Sequence, residues 1–356
     1  MVNPDPYKQL AARLDSLPNG FPATEQGIEL KLLAKIFTPE EAALAAQLRL
    51  QKETPDQIAA RIGSDPAALR AQLKSMSRRG LIEAGKVEGE LGFGSMPFVV
   101  GIYEMQLANM DAEMAQLFED YYQQVFGKTL ALAPSVHRVI PVGESVRMDI
   151  EVRPFESASQ LISQAKAWGV QDCICRKQKA LIGDPCEHQL DNCMVMSPRP
   201  GVFDNHPFVR PQTMEEAMAT LRQAAEDGLV HSVSNNQQGN WYICNCCTCS
   251  CGILRGLTEL GIANAVARSA FVNQVDETLC TGCELCLERC YFDALSMEEV
   301  VQVDESRCIG CGVCVEACPD EALFLVRRPE EEVVVPPVSM ADWQAQRAAT
   351  RGIDLT

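Results

Sequence analysis

Apolar positions follow a helical period over the first third of the chain and a mixed one over the next. From Tyr7 to Leu17 the spacing predicts a short amphipathic helix, ended by a Pro/Gly/Asn turn at 18–22, so residues 1–26 read as an arm. Over 27–101, IELKLLAKIF and PEEAALAAQLRL predict two helices, the second with Pro39 in its first turn. Thr54 caps a third helix that Gly63 stops, and PAALRAQLKSMSRRG gives a longer one ending at Gly80. LIEAGKVEGELGFG then reads as two short strands about a glycine-rich turn. Over 102–270, IYEMQLANMDAEMAQLFEDYYQQVF predicts a long helix, VHRVIPV and VRMDIEV alternate as strands, and SASQLISQAKAWG predicts a further helix. Phe118, Tyr121, Tyr122 and Phe126 are expected in the core. After a compact stretch at 271–330, EEEVVVPPV is an extended linker, and S-M-A-D-W at 339–343 opens a last helix as a capping box within the tail, 331–356.

Helix, short helix, turn, helix and β-wing is the order of a winged helix-turn-helix, which 27–101 resembles. Its candidate recognition helix carries Arg70, Lys74, Arg78 and Arg79, and residues 55–80 net +3, five basic against two acidic. That charge can grip phosphates. The helix nevertheless opens Pro66-Ala67-Ala68-Leu69, where a DNA reader needs polar base-reading side chains. Packing or protein docking is the favoured role, with nucleic-acid binding the lesser alternative.

The 356 residues leave room for two or three domains, and the 47% hydrophobic content suffices for real cores. The longest apolar runs resemble ALFLV at 322–326, far short of a membrane span. MVNPDPYKQLAARLDSLP shows no signal-peptide pattern, so a reducing cytoplasm is expected and the 17 cysteines point to metal rather than disulfides. Net charge is −17, and 276–332 alone holds fifteen acidic against four basic residues. Such a surface disfavours nucleic acid at that end and suits a positively charged face on a redox partner, or serves solubility alone.

Eight cysteines fall in two copies of C-x2-C-x2-C-x3-C, Cys280, Cys283, Cys286, Cys290 and Cys308, Cys311, Cys314, Cys318. This is the run by which bacterial ferredoxins hold [4Fe–4S] cubes. The copies align at an offset of 28, with Val275/Val303, Asp276/Asp304, Ala294/Ala322 and Leu295/Leu323 in register, which marks an internal duplication. One departure is Tyr291, where the second copy has Pro319. The segment resembles the two-cluster ferredoxins, and that resemblance implies crossed ligation: Cys280, Cys283, Cys286 and Cys318 on one cube, Cys308, Cys311, Cys314 and Cys290 on the other. Zinc is the weaker alternative, because it favours separated C-x2-C pairs.

Nine more cysteines lie in D-C-I-C-R-K at 172–177, D-P-C-E-H-Q-L-D-N-C at 184–193 and W-Y-I-C-N-C-C-T-C-S-C-G at 241–252. If Ile174 is extended, Cys173 and Cys175 share a face. Cys186 and Cys193 can then supply the remaining edges of a third cube. Along 244–251, Cys244 and Cys246 share one phase while Cys247, Cys249 and Cys251 share the other. Either a fourth cube takes four of these five, or one cluster draws on both strips and the remaining thiols are redox-active; zinc stays a lesser alternative. His188 can complete a mixed site, although a surface histidine is the simpler reading. Arg176 and Lys177 are candidate cluster contacts that lower thiolate pKa or donate to sulfur.

The order C-x-C-R, G-D-P-C-E-H-x4-C, E-D-G-L-V-H-S-V-S-N, I-C-N-C-C-x-C-x-C-G-I-L-R and dicluster ferredoxin, spanning about 135–330, resembles a family of bacterial and archaeal 4Fe–4S proteins of predicted ferredoxin type. That resemblance implies iron–sulfur cofactors and names no substrate. The expected fold is α+β: a winged-helix-like region at 27–101, a mixed α/β cysteine-rich domain at 102–270 and a two-[4Fe–4S] ferredoxin-like domain at 271–330. The expected function is single-electron transfer through at least three [4Fe–4S] clusters, as carrier or subunit beside redox partner proteins. G-E-L-G-F-G at 89–94 lacks the dinucleotide-binding spacing, and there is no C-x-x-C-H haem site, so a stand-alone enzyme is not favoured. The alternatives are an iron–sulfur redox sensor acting on transcription through the winged helix, and a catalytic subunit with an open central iron.

Overall fold

The computed structural model describes residues 5–355; the first four residues of the predicted arm, and Thr356 at the end of the tail, lie outside the described residues. The chain divides into two compact units, one formed by residues up to Thr129, Gln178–Asp184 and those from Gln344 onward, the other by Leu130–Lys177 and Pro185–Trp343. These groupings cut across the predicted boundaries at 26, 101 and 330.

In the first unit the helices run Pro6–Asp15, Ile28–Ile36, Pro39–Ala45, Pro55–Ile62 and Pro66–Arg78. Thr38 and Thr54 each cap a helix and are answered by Glu41 and Gln57, so both ends of two capping boxes are closed. The strands Glu83–Val87 and Glu90–Gly94 form an antiparallel hairpin. Positive φ at Glu88 and Gly89 gives the two-residue turn the twist the strands need. The arm is part of this unit: Leu10, Leu14, Leu17 and Phe21 are buried. The long helix expected over 102–126 is shorter. It runs Ala112–Gln124, because the Asp111 carboxylate accepts the Met114 N–H (2.8 Å) and fixes a start there. Phe118, Tyr121, Tyr122 and Phe126 are buried, with Phe118 stacked 3.8 Å from Tyr103. Arg347 is fully buried and donates to the carbonyls of Pro18 and Thr129.

The second unit is built on a six-stranded antiparallel sheet ordered His137–Ile140, Val230–Ser234, Tyr242–Cys246, Cys193–Ser197, Ala167–Gln171, Arg210–Gln212. Helices Ala158–Gln164 and Met214–Glu226 cover one face, where Ile140, Ile162, Met194, Met196, Val233 and Ile243 meet. Alternation along the strands sends Cys193, Cys244, Cys246, His137 and Ser232 to the other face. Two expected elements differ. VRMDIEV forms no strand, because Arg147 grips Asp149 through two bonds (2.5 and 2.7 Å) and Met148 is 98% exposed. The helix expected through AWG stops at Gln164, and Ala167–Gln171 pairs into the sheet instead.

Beyond the sheet, Phe271–Val275 pairs antiparallel with Leu323–Arg327, and Leu295–Met297 with Val301–Val303. The two half-repeats agree in detail. The Asp276 and Asp304 carboxylates accept the N–H groups of Thr278 and Ser306, each at 2.9 Å, and their carbonyls accept from Cys280 and Cys308. Each half then carries one helical turn, Leu285–Glu288 or Val313–Glu316. Among the described residues, no helix is long and apolar enough to cross a membrane.

Ile162 has no exposed surface and joins the helix pair to the sheet. Ile162→Ala is expected to cost about 2–5 kcal/mol, read as a lower denaturant midpoint under anaerobic conditions. An unchanged midpoint would show that this face is not the core.

Candidate metal centres

Four C-terminal cysteines from both half-repeats surround one small cavity, lined by Cys280, Cys283, Cys286 and Cys318 together with Met297, Val301 and Leu323. The loop takes this shape because Gly282 and Glu284 adopt left-handed backbone before the short helical turn. Cys283 is exposed and Cys286 buried, so this site reaches the surface on one side only. The second set lies near Cys314, whose pKa is pushed well above its usual value by burial and by the neighbouring thiols Cys311, Cys290, Cys308 and, from the first set, Cys286. Here Gly310 also has left-handed backbone, and a Cβ would stand 2.1 Å from the Phe271 carbonyl, so no larger residue fits that turn. Cys286 and Cys314 share an apolar cluster with Val301 and Leu323, which brings the two sites together.

The nine central cysteines separate into six and three. Six thiols lie close enough to act on one another in turn, Cys173 with Cys175, Cys175 with Cys251, Cys251 with Cys246, Cys246 with Cys244 and Cys244 with Cys193. Bonds from Cys175 and Cys246 hold the Cys251 thiol well below its usual pKa, and the bond from Cys175 brings Cys173 to about 7. The remaining three, Cys186, Cys247 and Cys249, have all their sulfurs within 4.8 Å of one another.

This division differs from the expected phases. Ile174 is not extended: Cys173 precedes the helix Ile174–Leu181, and its carbonyl accepts the Lys177 N–H (3.0 Å) to open it. Strand alternation also ends at Cys246. The Cys251 N–H bonds back to the Cys247 carbonyl (3.2 Å), so the chain reverses and returns Cys251 to Cys246 rather than to Cys247 and Cys249. Cys186 accordingly joins Cys247, not Cys173 and Cys193. His188 contributes its backbone N–H to Cys186, and its ring is outside the trio.

Arg176 stands between the two thiol groups. It is 3% exposed and donates to the carbonyls of Gln189 and Asn245 and to Asn192 Oδ1. Burial alone would lower its pKa, yet Cys173, Cys247 and Cys246 around it hold it above the usual value. A buried cation needs anions, and thiolates are the anions in reach.

A protein-family model described as a 4Fe-4S binding domain matches residues 273–296 and 301–324, one stretch in each half-repeat. The C-terminal segment is thus similar to a 4Fe–4S binding domain. No curated protein and no solved structure matches the chain. The chemistry of the 4Fe–4S binding domain is visible in its donors: Ala294 N–H meets Cys290 Sγ at 3.4 Å, Ala322 N–H meets Cys318 Sγ at 3.3 Å, and Asn273 Nδ2 meets Cys314 Sγ at 3.2 Å. Donors aimed at sulfur stabilise the more negative, reduced state of a cluster.

Sequence reasoning missed a buried polar line behind the six thiols. Tyr242 Oη meets His137 Nε2 (2.9 Å), His137 Nδ1 meets Ser232 Oγ (3.3 Å) and Ser232 Oγ meets Cys246 Sγ (3.8 Å). Burial lowers His137 to about 4, opposed by Cys251, so its imidazole is neutral at pH 7. The signal lay in strand alternation, since His137 and Ser232 stand on the cysteine face.

Asn273→Ala removes one donor to Cys314. The midpoint of the affected centre is expected to fall by roughly 40 mV, the one-electron equivalent of ~1 kcal/mol, in an EPR-monitored redox titration. A midpoint that stays put would show that this bond does not tune the site.

Proposed function

We propose that the chain is an electron-transfer protein that passes single electrons through two [4Fe–4S] cubes in its C-terminal domain and a third on the central six-thiol group. The observation that carries this is one cavity ringed by Cys280, Cys283, Cys286 and Cys318, three thiols from one half-repeat and the fourth from the other. Such cubes supply reversible one-electron oxidation and reduction without bond-making. Cys308, Cys311, Cys314 and Cys290 are the ligands of the second cube, and four of Cys173, Cys175, Cys193, Cys244, Cys246 and Cys251 those of the third.

The protein's own part is placement and tuning. Exposed Cys283, flanked by the half-exposed Leu279 and Leu285, marks the edge where electrons exchange with a redox partner protein. The acidic surround of that edge favours a partner with a basic face. The apolar contact between Cys286 and Cys314 carries the path inward, and the backbone and Asn273 donors set the potentials.

The helical region before residue 101 serves as a docking or packing module in this reading. On its candidate recognition helix, Arg70 pairs with Asp56 and Arg79 with Glu41 and the Ile36 carbonyl, which uses up charge a phosphate would need. This disfavours the transcriptional alternative.

The full chain purified without oxygen is expected to carry about twelve irons with matching sulfide. The triple variant Cys175→Ala/Cys246→Ala/Cys251→Ala leaves three thiols in the central group. It is expected to hold about eight irons and keep the reduced-state EPR of the C-terminal pair. A wild-type count near eight would remove the third cube, and a colourless protein the whole proposal.

A further inference from the structure

Three of the central sulfurs are spaced for different chemistry. Cys186 Sγ and Cys247 Sγ are 3.9 Å apart, and Cys249 Sγ lies within 4.8 Å of both. Thiolates bound at about 2.3 Å to one tetrahedral ion stand about 3.8 Å from each other. A cube, by contrast, attaches each thiolate to a separate iron and spreads them to roughly 6 Å. Among the described residues no other trio of cysteine sulfurs is this close, and the eight ligands of the 4Fe–4S binding domain are among those compared. The same chain therefore holds both spacings.

We propose that Cys186, Cys247 and Cys249 bind a single thiophilic divalent ion with zinc-like coordination, leaving its fourth position open to an exogenous ligand. This does not rest on the electron-transfer reading. Three protein ligands and one free position are the arrangement by which catalytic zinc sites receive a substrate or water, whereas structural sites close all four.

The surroundings support the assignment. Cys247 is buried among Ala224 and Leu229, which fixes its direction, while Cys249 is exposed, so the trio is reachable from solvent. Cys186 and Cys247 are also oriented from behind. The Ser250 hydroxyl donates to Cys186 Sγ at 3.5 Å, the His188 N–H donates to the same sulfur, and the Arg176 guanidinium reaches Cys247. Such outer hydrogen bonds hold metal-binding thiolates in one geometry. Three thiolates and a divalent ion leave one negative charge, which Arg176 offsets.

Tyr291 gives the site a neighbour. It stands where the second half-repeat has Pro319, directly after Cys290, and a Cβ on Gly228 would lie 2.9 Å from its hydroxyl and 2.6 Å from Arg289 Nη1. Cys247 and Cys249 are close enough for their charge to act on the phenol. A cation and a hydroxyl near the trio suit a thiol or another small anion as the fourth ligand.

The test uses the full chain, purified without oxygen, with its zinc, iron and sulfide measured, and then titrated with Co²⁺ alone. About one divalent ion per chain is expected beyond the irons. Cobalt in that place should give thiolate charge-transfer absorption and the visible bands of a four-coordinate ion in difference spectra. Added thiol should shift those bands, and zinc should abolish them. Cys186→Ala is expected to lose the ion while iron and sulfide stay at wild-type levels. Should that variant fail to fold, Cys249→Ala at the exposed position carries the same reading, with its iron content as the control for folding. A wild-type protein that holds no zinc as purified and gives no cobalt bands would overturn the proposal. So would a trio variant that loses irons and sulfide together, as removal of a cube ligand does.

Discussion

Sulfur anions cannot be buried without something positive or hydrogen-bonding beside them, and the second compact unit is organised around that constraint. Its sheet turns one face to two helices and an ordinary apolar core and turns the other to thiols. On the thiol side every unusual feature answers the same need. Arg176 is buried there with its guanidinium bonded to three oxygens and surrounded by Cys173, Cys246 and Cys247. Ser250 donates to Cys186 and Ser232 meets Cys246, and in the C-terminal half-repeats Asn273 and the backbone of Ala294 and Ala322 likewise aim donors at individual sulfurs. These groups share one property: each favours negative charge on the sulfur it faces.

The same constraint explains why the C-terminal half-repeats are so alike. Each repeats the Asp-anchored loop, the left-handed glycine and the single helical turn, and under the proposed ligation each gives three thiolates to one site and a fourth to its twin. Where the copies differ, the difference faces something else. Tyr291 replaces the proline of the second copy and packs on Gly228 beside the central trio. That substitution links the iron–sulfur repeat to the rest of the unit.

The sequence was most legible where chemistry dictates local spacing. The doubled cysteine run, the two capping boxes at Thr38 and Thr54 and the hairpin at 83–94 all depend on residues a few positions apart, and all are in place. The central cysteines were harder because their grouping is set by chain reversals. Alternation placed Cys247 and Cys251 on one face, but the turn between them closes on a backbone bond and sends them to different groups. Likewise, nothing within the C-x-C-R stretch signals that a helix begins between its cysteines. VRMDIEV alternates as well as any strand, and was lost to a local bond between Arg147 and Asp149. His137 drew no notice, because a lone histidine in an apolar strand carries no pattern until its strand neighbours are known.

Stepwise reduction of the anaerobically purified full chain, followed by EPR with spin counting, tests the central claim most directly. The account predicts two reduced [4Fe–4S] signals that interact magnetically, as neighbouring cubes at Cys286 and Cys314 must, and both should disappear when the Cys318→Ala and Cys290→Ala changes are combined. A protein that takes up no electrons, or carries zinc at those eight sulfurs, would contradict it.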